Sequence, residues 1–504
     1  MAGKGEMPYR DLRSFINDLR ADGDLLDIRQ PVSPVLEATA LARQVQARGG
    51  PALLIQKPDG SDHPLLVNLF GHRRRIEAVL RQRPIKSLQE LGQWLARLQQ
   101  PRVPGGLREA LKQWPELGQI AMTVSREQPR ADFMTNSFSG SEIDLETLPV
   151  QTCWPDDAGR LITLGLVLTH SRNLKRTNIG IYRQQLIGRN RVIMRWLAHR
   201  GGAQDFAEWQ RDRPGEPFPV AVVIGADPAT ILAAVAPLPD TLSELQFAGL
   251  LRGASTPVVN LSLTGLSVPA SAEFVLEGHI HSDDMAEEGP FGDHTGHYNA
   301  PGQYPVLTVK RLWMRNDPIY LGSWMGKSPH DEPSVLASAL NELFVPIMRG
   351  MFPEIRDFYL PPAACSYRMA LVSIDKRYPG HARRIMLGIW SCLRQFSYTR
   401  YVLVFDEDID IRNHDEVLWA LANHVDPARD TLVLEQTPVD VLDFAGSQAG
   451  LGSKLGVDAT RKYRAECPRP WPSPVIPDPA VETRMSDLAD QVMHAVANKA
   501  GCES

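Results

Sequence analysis

The sequence predicts a multidomain α+β protein in which two α/β units flank a β-rich centre. Helical and strand-like patterns alternate up to residue 120 and again after residue 330. Between them lie short β-rich runs separated by Gly, Pro and Asp, which are typical of a barrel or a sandwich. With 504 residues, 43% of them hydrophobic, the chain is long enough to bury a core in each unit. We therefore expect domains at 1–120, 121–330 and 331–504.

The amino-terminal unit begins with an amphipathic helix. Its apolar residues fall at helical spacing: Leu12, Phe15, Ile16 and Leu19. A break at Asp22-Gly23 then leads into a strand over Leu25–Ile28, and a Gly-Gly-Pro turn leads into a second strand over Ala52–Ile55. Residues 88–98 are predicted to form another amphipathic helix.

The central unit carries five strand-like runs, at 161–169, 220–224, 257–261, 274–280 and 306–309. In the carboxy-terminal unit, helices over 335–350 and 381–396 alternate with strands over 369–374 and 401–405, which is typical of α/β packing.

The end of the chain is predicted to be an extended strap followed by a helix. Prolines at 468–479 exclude an inner strand or a helix there. Ser486 is expected to cap the terminal helix, and one apolar stripe of that helix is expected to dock on another subunit. The stripe comprises Leu488, Val492, Met493 and Val496.

Composition excludes several functional classes. The net charge of −5 provides no basic field for nucleic acid. Five scattered cysteines without a Cys-x-x-Cys pair favour a reducing compartment. No apolar run approaches the roughly 18 residues of a membrane span. We therefore expect a cytoplasmic protein without a nucleic-acid partner.

Residues 177–202 mix apolar positions with many cationic and amide side chains. Asn178, Arg183, Arg195, His199 and Arg200 all fall there. This composition fits a solvated strand edge. It equally fits an anion site for a phosphorylated cofactor, because guanidinium groups and backbone N–H groups bind phosphate oxygens.

Residues 287–296 carry Glu288 and Asp293 on either side of a Gly-Pro-x-Gly bend. The bend can direct both carboxylates into one cleft, where one stays ionised and the other is held protonated for acid catalysis. An acidic surface loop fits the same residues.

Three further motifs favour other classes only weakly. His279, His281 and Asp283 share one face of an extended strand, but the last histidine of the matching metallohydrolase motif is missing. Residues 405–408 (Phe-Asp-Glu-Asp) resemble a metal site and also fit a solvated turn. The glycines of 450–456 fit a phosphate loop or a flexible loop.

Beyond these motifs, much of the sequence resembles the UbiD family. The matching segments are 177–188, 194–202, 225–231, 242–253, 288–296 and 450–456. Further matches to the branch of the family that serves ubiquinone synthesis are 9–15, 360–362, 390–398 and 426–430. The resemblance implies an amino-terminal α/β domain, a central split β-barrel of the flavin-reductase type, and a carboxy-terminal α/β domain that assembles oligomers, often hexamers.

The resemblance also implies a prenylated FMN site with a metal beside the cofactor phosphate. The expected Mn²⁺ ligands are Asn178, His199 and Glu244, and K⁺ near the same phosphate is common in relatives. The expected cofactor contacts are Ile181, Tyr182, Arg183, Arg195, Trp196, Leu197, Arg200 and Gly201.

The implied catalytic residues are Glu288, Arg183 and Asp293, with Asp293 as the proton donor. The implied reaction is non-oxidative decarboxylation of 4-hydroxy-3-polyprenylbenzoate to 2-polyprenylphenol. Another aromatic or heteroaromatic acid is the alternative substrate. An acid role for Asp293 requires a raised pKa.

The same resemblance implies a flavin prenyltransferase as the supplier of cofactor and a homo-oligomeric state. A polyprenyl substrate would add peripheral contact with the inner membrane. Two other classes remain open: a flavin-free metallohydrolase built on residues 279–283, and a non-catalytic scaffold that uses the terminal helix as its interface.

Overall fold

The computed structural model describes residues 9–80, 87–99, 124–171, 176–197, 200–236, 238, 243–446 and 448–500. The domain boundary expected near residue 120 lies outside these residues, so the division into three domains stays a prediction. Within the described residues, no helix is both long enough and apolar enough to cross a membrane.

The amino-terminal unit packs helices against a small sheet. Its helices are Leu12–Ala21, Glu37–Ala47, Arg73–Ala78 and Leu88–Gln99. Its sheet runs in the order Leu25–Ile28, Ala52–Ile55, Leu65–Val67 and Tyr320–Leu321. The predicted helix around Phe15 and both predicted strands are confirmed. The fourth strand comes from the far end of the central unit, so these two units share one sheet.

A nine-stranded, mainly antiparallel sheet forms the centre. Its strands are Asn136–Ser139, Leu161–Ile162, Leu166–Ser171, Arg176–Ile181, Gln184–Gly188, Arg191–Met194, Phe218–Ile224, Phe274–Glu288 and Gly302–Met314. Within the described residues the strand order is open, and no closed barrel forms. The split barrel therefore stays a prediction, whereas the mixed α/β multidomain class is confirmed.

The two longest strands of this sheet position the candidate site. Phe274–Glu288 pairs antiparallel with Gly302–Met314, from Phe274 opposite Met314 to Glu288 opposite Gly302. Glu288 is thus the last residue of its strand, and the chain enters the loop of residues 289–301 directly after it.

Short elements complete the central unit. A three-stranded sheet is formed by Arg126–Glu127, Pro257–Asn260 and Ser267–Pro269. The helices are Gly201–Asp212, Pro228–Val235 and Glu244–Arg252. Short 3-10 turns lie at Asp132–Thr135, Gly140–Glu142 and Leu145–Thr147.

The carboxy-terminal unit is a five-stranded sheet between helices. Its strand order is Ile355–Tyr359, Met369–Ile374, Tyr401–Asp406, Leu451–Asp458 and Thr431–Pro438. The helices are Glu332–Met351, His381–Cys392, His414–His424 and Pro427–Asp430. Glycines 450–456 were expected to form a loop, and that expectation is wrong, because most of the segment pairs with strand Thr431–Pro438 and its last two residues also pair with strand Tyr401–Asp406.

Helix Glu332–Met351 joins the hydrophobic cores. Leu336 and Leu340 pack into the core that the amino-terminal and central units share. Phe344 and Met348 pack into the core on one face of the carboxy-terminal sheet. This helix therefore fixes the carboxy-terminal unit against the central sheet.

The terminal helix is Pro479–Ala500, and the strap of residues 470–478 that precedes it has no regular secondary structure. The prediction that Ser486 caps this helix is wrong. Asp478 takes that role, because its Oδ1 accepts from the backbone N of Ala480 and Val481. The apolar residues of the helix are exposed: Val481, Met485, Leu488, Val492 and Met493.

Candidate active site

A cavity of about 530 Å³ opens between the central sheet, helix Glu332–Met351 and the carboxy-terminal unit. Known small-molecule sites span roughly 300–1,000 Å³. One wall carries polar residues: Tyr182, Arg183, Arg195, Arg200, Asp293 and His294. The lining from helix Glu332–Met351 and the carboxy-terminal unit, the apolar wall, is mostly apolar with Leu336, Leu340, Phe344, Leu360 and Leu442, and it also contains Glu332 and Asp440.

Arg183 is the centre of the polar wall. It lies between strands Arg176–Ile181 and Gln184–Gly188, and only 5% of its side chain is exposed. Its guanidinium donates four hydrogen bonds: Nε to Glu288 Oε1 at 2.8 Å, Nη2 to Glu288 Oε2 at 3.1 Å, Nη2 to Asn299 Oδ1 at 2.7 Å, and Nη1 to Asp293 Oδ2 at 2.6 Å. A guanidinium has five N–H groups. Among the described residues, one N–H on Nη1 therefore has no acceptor and remains for a ligand.

Arg195 lies beside the same cluster. Its Nε is 3.5 Å from Glu288 Oε2, and its guanidinium lies 6.0 Å from the ring centre of Tyr304. Among the described residues this buried Nε has no hydrogen-bond partner. A buried donor without a partner is costly, so Arg195 is suited to an acceptor supplied by a ligand.

Two side chains that sequence reasoning missed, the buried Asn299 and the half-buried Asp157, hold the loop of Asp293 in place. Asn299 Oδ1 accepts from Arg183 and also from the backbone N of Phe291 at 2.9 Å. Asp157 Oδ1 accepts from the backbone N of Gly292 at 2.9 Å. Asp157 is more than 130 residues away in sequence, so no local pattern indicates this contact.

His294 is a third residue that sequence reasoning missed. Its Nδ1 lies 2.7 Å from Asp293 Oδ1, while Arg183 binds the other carboxylate oxygen. Burial alone would raise the pKa of Asp293, but the hydrogen bond with His294 and the charge of Arg183 hold this pKa well below its usual range. The raised pKa that we expected for Asp293 is therefore wrong for this state of the site.

The pKa of His294 shifts in the complementary direction. Burial alone would lower it, but the hydrogen bond with Asp293 and the charge of that carboxylate raise it above the usual value. Both shifts favour the same charge state, an imidazolium beside a carboxylate.

Two of the three expected metal ligands lie close together. Glu244 begins helix Glu244–Arg252, and its Oε2 accepts from the backbone N of Ile179 at 3.4 Å, next to Asn178. Burial raises the pKa of Glu244 to about 7. The third expected ligand, His199, lies outside the described residues. Among those that are described, no three His, Cys, Asp or Glu side chains form a group that could hold a metal.

The other expected cofactor residues divide into two groups. Four of them line the cavity together with Arg183 and Arg195: Ile181, Tyr182, Leu197 and Arg200. Trp196 packs edge-on against Phe218, away from the lining, and its buried Nε1 has no partner among the described residues.

Gly201 does not line the cavity and begins helix Gly201–Asp212 directly after Arg200. A Cβ at Gly201 would come within 2.3 Å of Asn178 Oδ1, so a side chain there would require the Asn178 amide to move. Backbone N–H groups at a helix start favour anions.

Neither the 279–283 motif nor the 405–408 motif forms a group of three or more His, Cys, Asp or Glu side chains that could hold a metal within the described residues. The pairing of strand Phe274–Glu288 is irregular between Ile280 and Met285, the stretch that carries His281 and Asp283. In the 405–408 motif, Asp406 accepts from the backbone N of Arg461, and the side chain of that arginine pairs with Asp408. These carboxylates are thus part of a structural turn.

Comparison with family models gives matches along most of the chain. The models describe the domains of 3-octaprenyl-4-hydroxybenzoate carboxy-lyase, the UbiD family. The N-terminal domain matches residues 16–95, the Rift-related domain residues 124–328 and the C-terminal domain residues 334–459.

Solved structures with the same fold include UbiD-class enzymes over nearly their full length. HmfF from Pelotomaculum thermopropionicum, in complex with FMN, is 26% identical with a TM-score of 0.75, covering 95% of this chain and 99% of that one. An evolved dimeric form of HmfF in complex with prFMN is 25% identical with a TM-score of 0.74, covering 94% and 98%. The closed form of vanillic acid decarboxylase from Sedimentibacter hydroxybenzoicus is 24% identical with a TM-score of 0.82, covering 98% and 100%, which supports the fold.

Proposed function

The chain belongs to the UbiD family of carboxy-lyases, and we propose that it decarboxylates 4-hydroxy-3-polyprenylbenzoate to 2-polyprenylphenol with prenylated FMN, a reaction of ubiquinone synthesis. The observation that carries the proposal is Arg183, buried between Glu288 and Asp293 with one N–H left for a ligand. A reversible decarboxylase of another aromatic or heteroaromatic acid is the alternative.

The residues around the cavity fit a flavin phosphate. The buried Nε of Arg195 faces Glu288 but makes no hydrogen bond among the described residues, and Gly201 brings the start of its helix against Asn178. We assign the cofactor to Ile181, Tyr182, Arg183, Arg195, Trp196, Leu197, Arg200 and Gly201. When bound, prenylated FMN supplies an electron sink, which decarboxylation from an sp² ring carbon requires because no side chain stabilises an aryl anion well enough.

Asn178, His199 and Glu244 are the proposed ligands of a Mn²⁺ ion at the cofactor phosphate, with K⁺ nearby. Amide, imidazole and carboxylate donors suit a hard divalent cation. Glu244 is half-buried beside the strand of Asn178, and a cation there would offset the cost of desolvating its charge.

The chain's own residues bind the substrate, deliver the proton and exclude water. The free N–H of Arg183 binds and orients the substrate carboxylate, and Glu288 keeps that guanidinium fixed. Asp293 delivers a proton to the ring carbon that carbon dioxide leaves. The apolar wall excludes water from this carbon and packs against the prenyl tail of the substrate.

Oligomerisation and location complete the proposal. The exposed apolar face of helix Pro479–Ala500 docks on another copy, in a homo-oligomer that we expect to be a hexamer. We place the enzyme in the cytoplasm with peripheral contact at the inner membrane, where the polyprenyl substrate lies. A flavin prenyltransferase supplies the cofactor.

A substrate panel tests the function. Protein co-expressed with a flavin prenyltransferase is analysed for bound flavin mass and metal, then assayed for carbon dioxide release. The panel contains 4-hydroxybenzoate with 3-alkenyl chains of increasing length, vanillate and furan dicarboxylate. We expect the long-chain substrates to have the highest kcat/KM, and Leu340→Trp to impair them more than 4-hydroxybenzoate.

Two results would contradict the proposal. Preference for an acid without a chain would favour the alternative substrate class. Protein saturated with metal but free of flavin would exclude the prenylated FMN reaction.

A further inference from the structure

The proposed decarboxylation consumes a proton, and the resting site must hold that proton somewhere. Asp293 is the proposed donor to the vacated carbon, but Arg183 and His294 both bind its carboxylate and favour its ionised form. An ionised carboxylate has no proton to give. The donor must therefore be recharged by a neighbouring acid, which is a question that rests on the proposed function.

The geometry around Asp293 identifies one neighbour of this kind. Arg183 Nη1 binds Asp293 Oδ2, and an arginine does not give up its proton at physiological pH. On the other oxygen, Oδ1, His294 provides both its backbone N at 2.8 Å and its ring Nδ1 at 2.7 Å. Only the imidazole can exchange a proton with Asp293 in this pH range.

His294 is also placed to be reprotonated. Its side chain lines the cavity and is 24% exposed, whereas that of Asp293 is only 4% exposed. No described residue hydrogen-bonds to its Nε2. The ring thus has one nitrogen on Asp293 and the other free to exchange with water while the site is open.

Charges from three other elements face the ring. Asp440, beyond strand Thr431–Pro438, favours the imidazolium, and Arg368 from the same unit opposes it. Asp331, directly before helix Glu332–Met351, is a third charged neighbour. The loop itself is anchored, because the backbone O of His294 accepts from Ser328 Oγ at 3.1 Å. Asp293 and Asp440 therefore favour the protonated ring, whereas Arg368 opposes it and Arg183 binds the far oxygen of Asp293.

We propose that His294 holds, as an imidazolium, the proton that Asp293 delivers to the vacated ring carbon. The Nδ1–H bond breaks as the Asp293 O–H bond forms, which leaves a neutral imidazole and a neutral carboxylic acid. The O–H bond then breaks as the ring C–H bond forms, which restores the carboxylate. Solvent reprotonates the imidazole, so one proton is consumed for each carbon dioxide released. His294 acts through Asp293 and is a positioning and proton-holding residue.

One measurement uses the cofactor-free protein and needs no activity. Slow hydrogen–deuterium exchange at imidazole C2, measured by peptide mass spectrometry against pH, gives the titration midpoint of each histidine. We expect a midpoint for His294 above the usual value of about 6.5, and a lower midpoint in Asp293→Asn. A midpoint at or below the usual value, or one that Asp293→Asn leaves unchanged, would overturn the proposal.

A second measurement uses the cofactor-loaded enzyme and two matched variants. His294→Asn keeps an N–H near the position of Nδ1 but cannot carry a proton in this pH range. His297→Asn is the control, because this exposed histidine of the same loop contacts Phe444 and not the Asp293 side chain. The readouts are bound cofactor, kcat against pH, and deuterium incorporation at the vacated ring carbon of the product phenol in D₂O.

In wild type we expect kcat to fall as pH rises through the midpoint of His294. His294→Asn should bind cofactor normally, lose roughly 100-fold in ring exchange and kcat, and lack this alkaline fall. His297→Asn should match wild type. An active wild type whose His294→Asn variant exchanges at the same rate would overturn the proton-holding role alone. A loaded wild type that neither decarboxylates nor exchanges any aromatic acid would overturn the proposed function together with this delivery step.

Discussion

Asn299 offers a sharp test of how the site is held together. Its Oδ1 accepts from Arg183 Nη2 at 2.7 Å and from the backbone N of Phe291 at 2.9 Å. Its Nδ2 donates to the backbone O of Ala300 at 2.8 Å, and the residue is 3% exposed. One amide therefore ties the arginine of the cluster to the loop that carries Asp293. Asn299→Ala removes this link without removing a charge.

The loss in free energy of unfolding that we expect for Asn299→Ala follows from the two donors that lose their acceptor. A hydrogen bond to a charged group contributes about 1.5–3 kcal/mol, and leaving a buried N–H unsatisfied costs about 1–3 kcal/mol. Arg183 Nη2 keeps its second bond, to Glu288, so we take the lower part of this sum. The expected loss is about 3 kcal/mol. For a folding unit of 150–250 residues this lowers Tm by roughly 6–12 °C.

Thermal unfolding of the cofactor-free protein measures this loss directly. The matched control is Asn260→Ala, because Asn260 also has two side-chain partners, Glu127 and Ser267, but is exposed. Exposed substitutions usually change stability by less than about 0.5 kcal/mol. We also expect loaded Asn299→Ala to lose about tenfold or more in kcat, because small misplacements of catalytic groups are costly. Equal Tm and kcat in Asn299→Ala and wild type would refute the assigned role.

Four further predictions follow from other parts of the molecule. Glu244→Gln should lose bound Mn²⁺ in metal analysis, whereas the exposed Glu216→Gln should keep it; unchanged metal content would exclude Glu244 as a ligand. The raised pKa of His294 stabilises the fold fully below about pH 6.5, and this contribution disappears as pH rises through the raised value. Tm should therefore fall over that window in wild type but not in His294→Asn. Burial raises the pKa of the Cys153 thiol to about 12, so iodoacetamide at pH 8 should leave Cys153 unlabelled until the protein unfolds. Leu488→Glu should lower the oligomer mass in light scattering, while an unchanged mass would exclude the terminal helix from the interface.

The regular elements of the fold could be predicted because each carries its own periodic signal. The helix around Phe15 and the strand Met369–Ile374 were placed within a few residues, since apolar spacing reports burial on one face. Long-range pairing carries no such signal. Tyr320–Leu321 joins a sheet whose other strands lie more than 250 residues earlier, and the glycine-rich 450–456 segment becomes a strand through its neighbours.

Prediction of the site from the sequence is limited in the same way, because long-range contacts leave no local pattern. Glu288 and Asp293 drew attention from their spacing alone, and Arg183 from its cationic surroundings. Asn299 and Asp157 have no motif, because their role depends on contacts more than 100 residues away in sequence. His294 was visible beside Asp293, yet only the structure shows its ring turned toward that carboxylate, which reverses the expected direction of the Asp293 pKa.

The charge of the buried cluster gives a reason for placing a histidine next to the proposed donor. Arg183, Arg195 and protonated His294 carry three positive charges, while Glu288 and Asp293 carry two negative ones. The cluster is thus left with one positive charge, which matches the single carboxylate of an aromatic acid. Carbon dioxide leaves without charge, so the negative charge of the substrate carboxylate stays in the site until a proton neutralises it. When His294 supplies that proton through Asp293, the product phenol leaves a cluster of two positive and two negative groups. No unpaired charge then stays buried at either stage, and burying an unpaired charge is the largest electrostatic cost in such a site.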